Sequence, residues 1–544
     1  MLVEAFGLLN WAIVGIYLMA NIGLGWYLGR EVTTGREYEI GTRRSPWWAI
    51  GISVIATYVS ALSFLGGPAW AYGDGMAALA IHVNYPLVVF IVVAVFLPFF
   101  YNSGVTSIYD YLERRFGIAA RSLGSTLFLI TQTITTASIL TATAVVITFA
   151  TGLDVRLSIV GMVAIVVLYT LLGGMNAVIW TDVLQGVILF LGAGIILWNV
   201  LDATAPLSGA LSTLAAEGKL DPINSDLDFS VAPTIWAGVL AMTLYHVTVY
   251  GANQMMVQRA LAAKSIGDAK KAYLLMGYGG FFIYFLFFFI GALLFVHFEG
   301  ATFDQPNAII LDFAQSLAIP GLLGIIAAAV LSASMSSLSS ALNSLSTASV
   351  SDFYKRFICD DADESHYLAV TRGLTVFWGV VAIPIAFAFI ESGGSILEQL
   401  TKVGSYFVGA NLAMFGMGFF SKSVSQRSLL IGVASGFATL VIVINGLPSA
   451  GLEPANIAWP WYVVIGGGTN VIVALIASLL ADQKSNGWHE QSVPGQIAKF
   501  RAEGLAEKDG GWYIVPGKVD KASWGLLAVF VLSIAFLAYF GTLG

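Results

Sequence analysis

Long, nearly continuous apolar runs alternate along this chain with short polar connections; the stretch from Phe281 to Phe295 contains no charged residue at all. A helix crosses a bilayer core with about 20 consecutive apolar residues, whereas barrel strands come as segments of about 10 with every second residue polar. The pattern therefore predicts membrane helices near residues 10–28, 48–71, 77–100, 122–150, 157–174, 181–201, 233–257, 272–297, 319–352, 368–390, 396–420, 428–446, 459–481 and 523–541. That is fourteen spans in an all-α membrane protein. The first follows Glu4 and no Lys or Arg, so it lacks the basic flank of a cleaved leader and is read as a retained helix.

Basic residues test the span count independently, because Lys and Arg accumulate in inner loops. With the N-terminus outside, the inner loops hold 21 of the 25 Lys and Arg; only Arg156 and Lys219 fall outside, and Arg372 and Lys402 lie within spans. Both termini are thus expected outside, in a plasma or bacterial inner membrane. The longest inner loop, about 482–522, is expected to lie on the surface or be partly disordered and is assigned no chemistry. Composition agrees: 58% of the 544 residues are hydrophobic and 10% charged, far from the balance of a soluble enzyme. A net charge of -7 offers no basic face for nucleic acid. The single Cys359 permits no internal disulfide, and no phosphate-cradling loop, HExxH or nucleophile elbow occurs, so neither an enzyme nor ATP-driven transport is supported.

Three spans carry polar groups that lipid packing does not require. The second holds Ser53, Thr57, Ser60 and Ser63 followed by Gly66, Gly67 and Pro68, which weaken the helix ladder. The seventh, five spans later, carries Tyr245, His246, Thr248, Tyr250, Asn253 and Gln254. Broken or polar helices at corresponding places in two halves point to a central transport site, where freed carbonyls coordinate ions. In the ninth, Ser332, Ser336, Ser337, Ser339, Ser340, Asn343 and Ser344 share an arc of about 160°. Such hydroxyls suit a hard cation, although serine faces also simply let helices approach. Asp182 stands near the inner end of its span, either as an ion-pathway carboxylate or as an interfacial group favoured by the helix dipole.

The segments Gly173-Gly-Met-Asn-Ala-Val-Ile-Trp-Thr-Asp182-Val-Leu-Gln185, Asn253-Gln-Met-Met-Val-Gln-Arg259-Ala-Leu-Ala-Ala-Lys264 and Ser336-Ser-Leu-Ser-Ser-Ala-Leu-Asn-Ser344 resemble signatures of the sodium/solute symporter family. The resemblance extends over nearly the whole chain. It implies a LeuT-type fold with a 5+5 inverted repeat, flanked by an extra N-terminal helix and inner loop over 1–47. The core would span 48–420, with repeats over about 48–202 and 233–420, and three C-terminal helices would occupy 421–544. By the same resemblance, a first Na+ site would use carbonyls of Ala56, Val59 and Ala333 with hydroxyls of Ser336 and Ser337. A second would use Asp182, Ser336, Ser339 and Ser340, giving two sodium ions per cycle.

Positions lining the substrate cavity in relatives correspond to Thr57, Tyr58, Ser60, Ser63, His82, Tyr85, Thr135, His246 and Thr401. The polar set of sugar carriers and the arginine of sialic acid carriers, which would stand at Thr135, are missing. Thr106-Ser-Ile-Tyr-Asp-Tyr-Leu-Glu113 and Tyr250-Gly-Ala-Asn-Gln254 resemble the monocarboxylate, vitamin and iodide branch, so a small organic anion is expected. His82 and His246 lie at membrane depth, as hydrogen-bond donors to substrate or as neutral rings bonded to a neighbouring carbonyl. Lys402 is read as the ion partner of Glu398, Arg259 as an interface anchor or inner-gate residue, and Phe281, Phe282, Tyr284, Phe285, Phe287, Phe288 and Phe289 as lipid-facing packing. The rival readings are a sodium/sugar or polyol symporter, a channel, and a membrane sensor input domain, the last disfavoured because the chain ends at Gly544 soon after its final span. The expected partners are Na+, a small-molecule substrate and the lipid bilayer.

Overall fold

A computed structural model describes residues 6–30, 32–392, 396–481 and 488–544, with side chains described for all of these except 392 and 396–403. The described residues are mostly helical, and ten helices are long and apolar enough to cross a membrane. One of the long helices absorbs two expected spans. The helix Val155–Ala203 runs for 49 residues, about 73 Å at 1.5 Å per residue, more than twice a hydrocarbon core. It is divided at Gly174, whose φ of 52° and ψ of -146° leave the helical region. A side chain there would strike Tyr38, since a Cβ would stand 2.7 Å from the Tyr38 carbonyl oxygen.

The second expected span is broken, but not where Gly66, Gly67 and Pro68 suggested. Helix Trp47–Tyr58 stops at Val59, with φ -76° and ψ 80°, and helix Ala61–Asp74 starts after extended Ser60 and continues through Pro68. Ser60 acts as the new origin, its carbonyl accepting from the Ser63 and Phe64 amides at 2.9 and 3.0 Å. The glycine-proline segment serves packing instead. Helix Ile266–His297 crosses so closely that a Cβ on Gly291 would stand 2.1 Å from the Pro68 carbonyl oxygen. The seventh span is also broken as expected: Met242–Gly251 ends at Ala252, and Gln254–Leu261 restarts beneath Asn253, whose side chain accepts from the Met255 amide at 2.9 Å.

The serine-rich helix Leu322–Ala348 is the axis of the molecule, buried at every position except Leu323 and Ile325. Small residues let its neighbours close in, as expected where lipid supplies no hydrophobic drive between helices. Gly192 of the Val155–Ala203 helix meets Ala329 with no room for a Cβ, and Gly25 and Gly29 of helix Leu8–Gly29 rest on the backbone of Tyr169 and Leu172.

Two expectations require correction. The aromatic run on Ile266–His297 is not uniformly lipid-facing, because Phe281, Tyr284, Phe287 and Phe288 are buried while Phe282 is exposed; a helix between lipid and an apolar core is apolar all round. Over its described part, the 482–522 loop is largely exposed, as expected, but carries regular structure and anchors to the helices. It forms helix Val493–Ala502 and a short hairpin pairing Lys508–Asp509 with Trp512–Tyr513, and Asp520 pairs with buried Lys270 at 2.6 Å.

Candidate functional site

Asp182 lies eight residues beyond the Gly174 break and is fully buried, which removes the interfacial reading. Its oxygens are held from three directions. Ser336 donates to Oδ1 at 2.6 Å, and Ser53 and Thr57 donate to Oδ2 at 2.5 and 3.2 Å. The third direction is a guanidinium: Arg259 Nη2 stands 3.2 Å from Oδ2, with both side chains at 0% exposure. Nη2 also donates to Thr57 Oγ1 at 2.6 Å and to Ser340 Oγ, Nε to Ser53 Oγ at 2.9 Å, and Nη1 to the Met255 carbonyl at 2.6 Å. The group thus joins the first broken helix, the Asp182 helix, the serine helix and the second half, Gln254–Leu261, of the second broken helix. Arg259 is no interface anchor. Its position at the end of span seven was visible in the sequence, but its reach across three neighbouring helices was not.

Of the residues expected around a first cation, the structure brings together the helix break and one hydroxyl of the serine helix. Ser60 donates its amide to the Tyr58 carbonyl at 2.9 Å, withdrawing the amide that a continuous helix would close on Ala56. Ser337 Oγ lies 2.8 Å from the Thr57 carbonyl and 3.3 Å from that of Ala333, so two main-chain oxygens converge on one hydroxyl beside Val59. Ser336 turns its hydroxyl to Asp182 instead. Ser339 and Ser340 lie one turn further, both within hydrogen-bond reach of the Ser336 carbonyl at 3.2 and 2.6 Å.

Beyond the break, towards the other end of the helix pair, an aromatic and imidazole cluster gathers most of the expected substrate positions. His82 stacks on Tyr284 with ring centroids 3.9 Å apart, and its Nδ1 lies 2.9 Å from the Tyr85 hydroxyl. Tyr85 stacks on His246 at 4.8 Å, and Tyr58 meets Tyr85, His246, Tyr250 and Tyr284. Ser63 Oγ and the Tyr284 hydroxyl are 3.1 Å apart. Asn84 sets the protonation pattern of His246. Its amide nitrogen donates to the Ile81 and Gly238 carbonyls at 3.2 and 2.7 Å, leaving Oδ1 to accept from His246 Nδ1 at 2.8 Å. His246 therefore carries its proton on Nδ1, and in the neutral ring Nε2 is an acceptor.

Four expected substrate residues stand apart from this cluster: Ser60 makes only main-chain bonds, at the helix break. The Thr57 hydroxyl belongs to the Asp182 group, Thr135 is half-buried on helix Ile118–Thr151 and makes none of the cluster's contacts, and the Thr401 side chain lies outside the described residues. The side chains of Glu398 and Lys402 do as well. Tyr284, Asn84 and Ser53 were missed. Tyr284 looked like one more ring in an aromatic run, and nothing local marks Asn84 or Ser53 as facing a histidine or a carboxylate.

At the other extremity of the serine helix, Arg121 ties three acids together. Its guanidinium meets Asp352 at 2.9 Å, Glu113 at 2.8 Å and Asp110 at 3.3 Å, while Ser107 and Ser125 donate to Asp352 at 2.8 and 2.9 Å. This network clamps helix Ile108–Phe116 to the end of the serine helix.

Comparison with known proteins agrees with this geometry. The chain is 26% identical to sodium-coupled monocarboxylate transporter 2 of Bos taurus over 84% of its own length and 76% of the relative's. It is 29% identical to the sodium/sialic acid symporter NanT of Aliivibrio fischeri, over 93% of this chain and 99% of the relative. Among solved structures, a Na+-coupled sialic acid symporter in a substrate-bound outward-open state superimposes with a TM-score of 0.80 and 27% identity, covering 87% of this chain and 98% of that one. The model of the sodium:solute symporter family matches residues 38–436, and the chain belongs to that family.

Proposed function

We propose that this chain is a sodium-coupled secondary symporter that imports a small organic anion, such as a monocarboxylate, by alternating access with two Na+ per cycle. The fold would be a LeuT-type 5+5 inverted repeat with fourteen spans, set in the plasma or bacterial inner membrane with both termini outside. One observation carries the reading: Ser337 Oγ meets the Thr57 and Ala333 carbonyls just before the Val59–Ser60 break, beside Ser336, whose hydroxyl turns to Asp182. Sodium held by Ala56, Val59, Ala333, Ser336 and Ser337 would draw the two half-helices onto the serine helix. That fixes Tyr58, whose ring meets the cluster from beside the break, and so makes cargo binding depend on the ion. A second ion would use Asp182, Ser336, Ser339 and Ser340.

The cargo would sit among Tyr58, His82, Tyr85, His246 and Tyr284, its apolar part on ring faces and its carboxylate on phenol and imidazole N–H and O–H donors. The named relatives carry monocarboxylates and sialic acid, which share a carboxylate. A sugar or polyol is the second reading, favoured by the acceptor character of His246 Nε2, which suits a substrate hydroxyl. Purified protein in liposomes with an inward Na+ gradient separates them. Uptake of a labelled monocarboxylate that competes with lactate and not with glucose supports the first, and the reverse supports the second. Equal accumulation with choline in place of Na+ removes both.

A further inference from the structure

The carboxylate assigned to the second sodium ion already has a cation on it. Arg259 Nη2 reaches Asp182 Oδ2 and Ser340 Oγ, two of the oxygens that would hold the ion, and all three side chains are buried. A sodium ion and a guanidinium a few ångströms apart on one carboxylate, away from water, repel strongly, so the two cannot share it. We propose that Arg259 is a tethered cation that competes with the second sodium ion for Asp182, docked when that ion is absent and displaced when it binds. This rests on the reading of Asp182 as a sodium ligand.

The arrangement solves a problem every reloading carrier faces. An ionised carboxylate buried without a partner is costly, and a carrier must return through the membrane after releasing its ions. With Arg259 docked, Asp182 stays neutralised in the sodium-free protein; with sodium bound, the ion replaces the guanidinium. None of the Arg259 hydrogen bonds reaches Ser337, Ala333 or Ala56, so the first ion binds without this contest. The competition is therefore specific to one of the two ions.

The test uses the full chain, titrated with Na+ against choline at constant ionic strength and read by thermal stabilisation. Arg259→Gln is expected to bind sodium at least tenfold more tightly, with a larger maximal stabilisation, because the ion now supplies the only counter-charge to Asp182. In the unaltered protein, sodium is expected to raise labelling of Arg259 by phenylglyoxal several-fold over choline, a readout that needs no variant to fold. An unchanged or weaker sodium midpoint in Arg259→Gln, or labelling indifferent to sodium, overturns the proposal. Asp182→Asn keeps the two ideas apart. If it abolishes the steepness of the sodium response while Arg259→Gln fails to tighten binding, competition is wrong and the ligand reading stands. If it leaves the response intact, the ligand reading falls first.

Discussion

Glu39 sits on the short helix Gly35–Ile40, which a capping box of Thr34 and Glu37 starts and Gly41 ends, yet its carboxylate points inward and is almost wholly buried. Burial pushes its pKa up from 4.5 to about 7; Lys355, 4.0 Å away, pulls the other way, and the carboxylates of Glu364 and Asp352 push with the burial. The folded protein thus holds a proton that the unfolded chain releases near pH 4.5. Its contribution to stability is full below that pH and is lost as the pH rises through about 7, a change of about 3 kcal/mol. Thermal unfolding between pH 4.5 and 8 should show this slope, and Glu39→Gln should flatten it. Ser336 permits a different check, because its hydroxyl donates to Asp182 at 2.6 Å and belongs to both proposed ion groups. Ser336→Ala is expected to weaken sodium binding by about 10-fold, near the 1.5 kcal/mol of a hydrogen bond to a charged group. An unchanged sodium dependence of uptake would remove Ser336 from the ion sites. At this scale the sequence displayed the acid and the serines, since an intramembrane Asp or a hydroxyl stripe stands out against lipid. It concealed Arg259, Ser53 and Asn84, because their roles depend on residues more than 75 positions away.

Helices, rather than single side chains, decide where backbone oxygens become available. Both broken spans were legible from their mid-membrane polar residues, but the position of the first break was not. Proline and glycine advertise weakness in a helix, and here the close approach of Gly291 to Pro68 puts that weakness to use in packing, while the break falls at Val59–Ser60, which carries no such mark. The same contact yields a prediction. In Gly291→Ala the new methyl collides with the Pro68 carbonyl and must push helix Ile266–His297 away from Ala61–Asp74. Tyr284 on that helix then moves off His82 and Ser63, while Asp182, Ser336 and Ser337 lie on other elements. Half-saturating substrate should rise about 10-fold or more with sodium binding little altered, as expected when overpacking costs about 1–3 kcal/mol. A parallel loss of both would mean that the two regions move as one body. The inward face of the aromatic run was illegible for a related reason: lipid and core select the same residues, so the pattern gives no direction.

For the whole molecule, coupling sets how much cargo can be concentrated, and charge movement reports the coupling. Each sodium ion is driven by about 2.3 kcal/mol per 100 mV together with about 1.4 kcal/mol for a tenfold gradient. A monoanion entering with one Na+ moves no net charge, so only the chemical gradient helps and accumulation stops near tenfold. Entering with two, it carries one net positive charge, and the same conditions support roughly 5,000-fold accumulation. The two-ion reading therefore predicts that imposing an inside-negative potential of about 100 mV on liposomes at a fixed tenfold sodium gradient raises steady-state accumulation by about 50-fold. In Asp182→Asn, with the second ion lost, the response should vanish and uptake become electroneutral. Uptake of a monoanion that ignores the potential in the unaltered protein would leave Asp182 paired with Arg259 throughout the cycle, a structural ion pair in a one-sodium carrier.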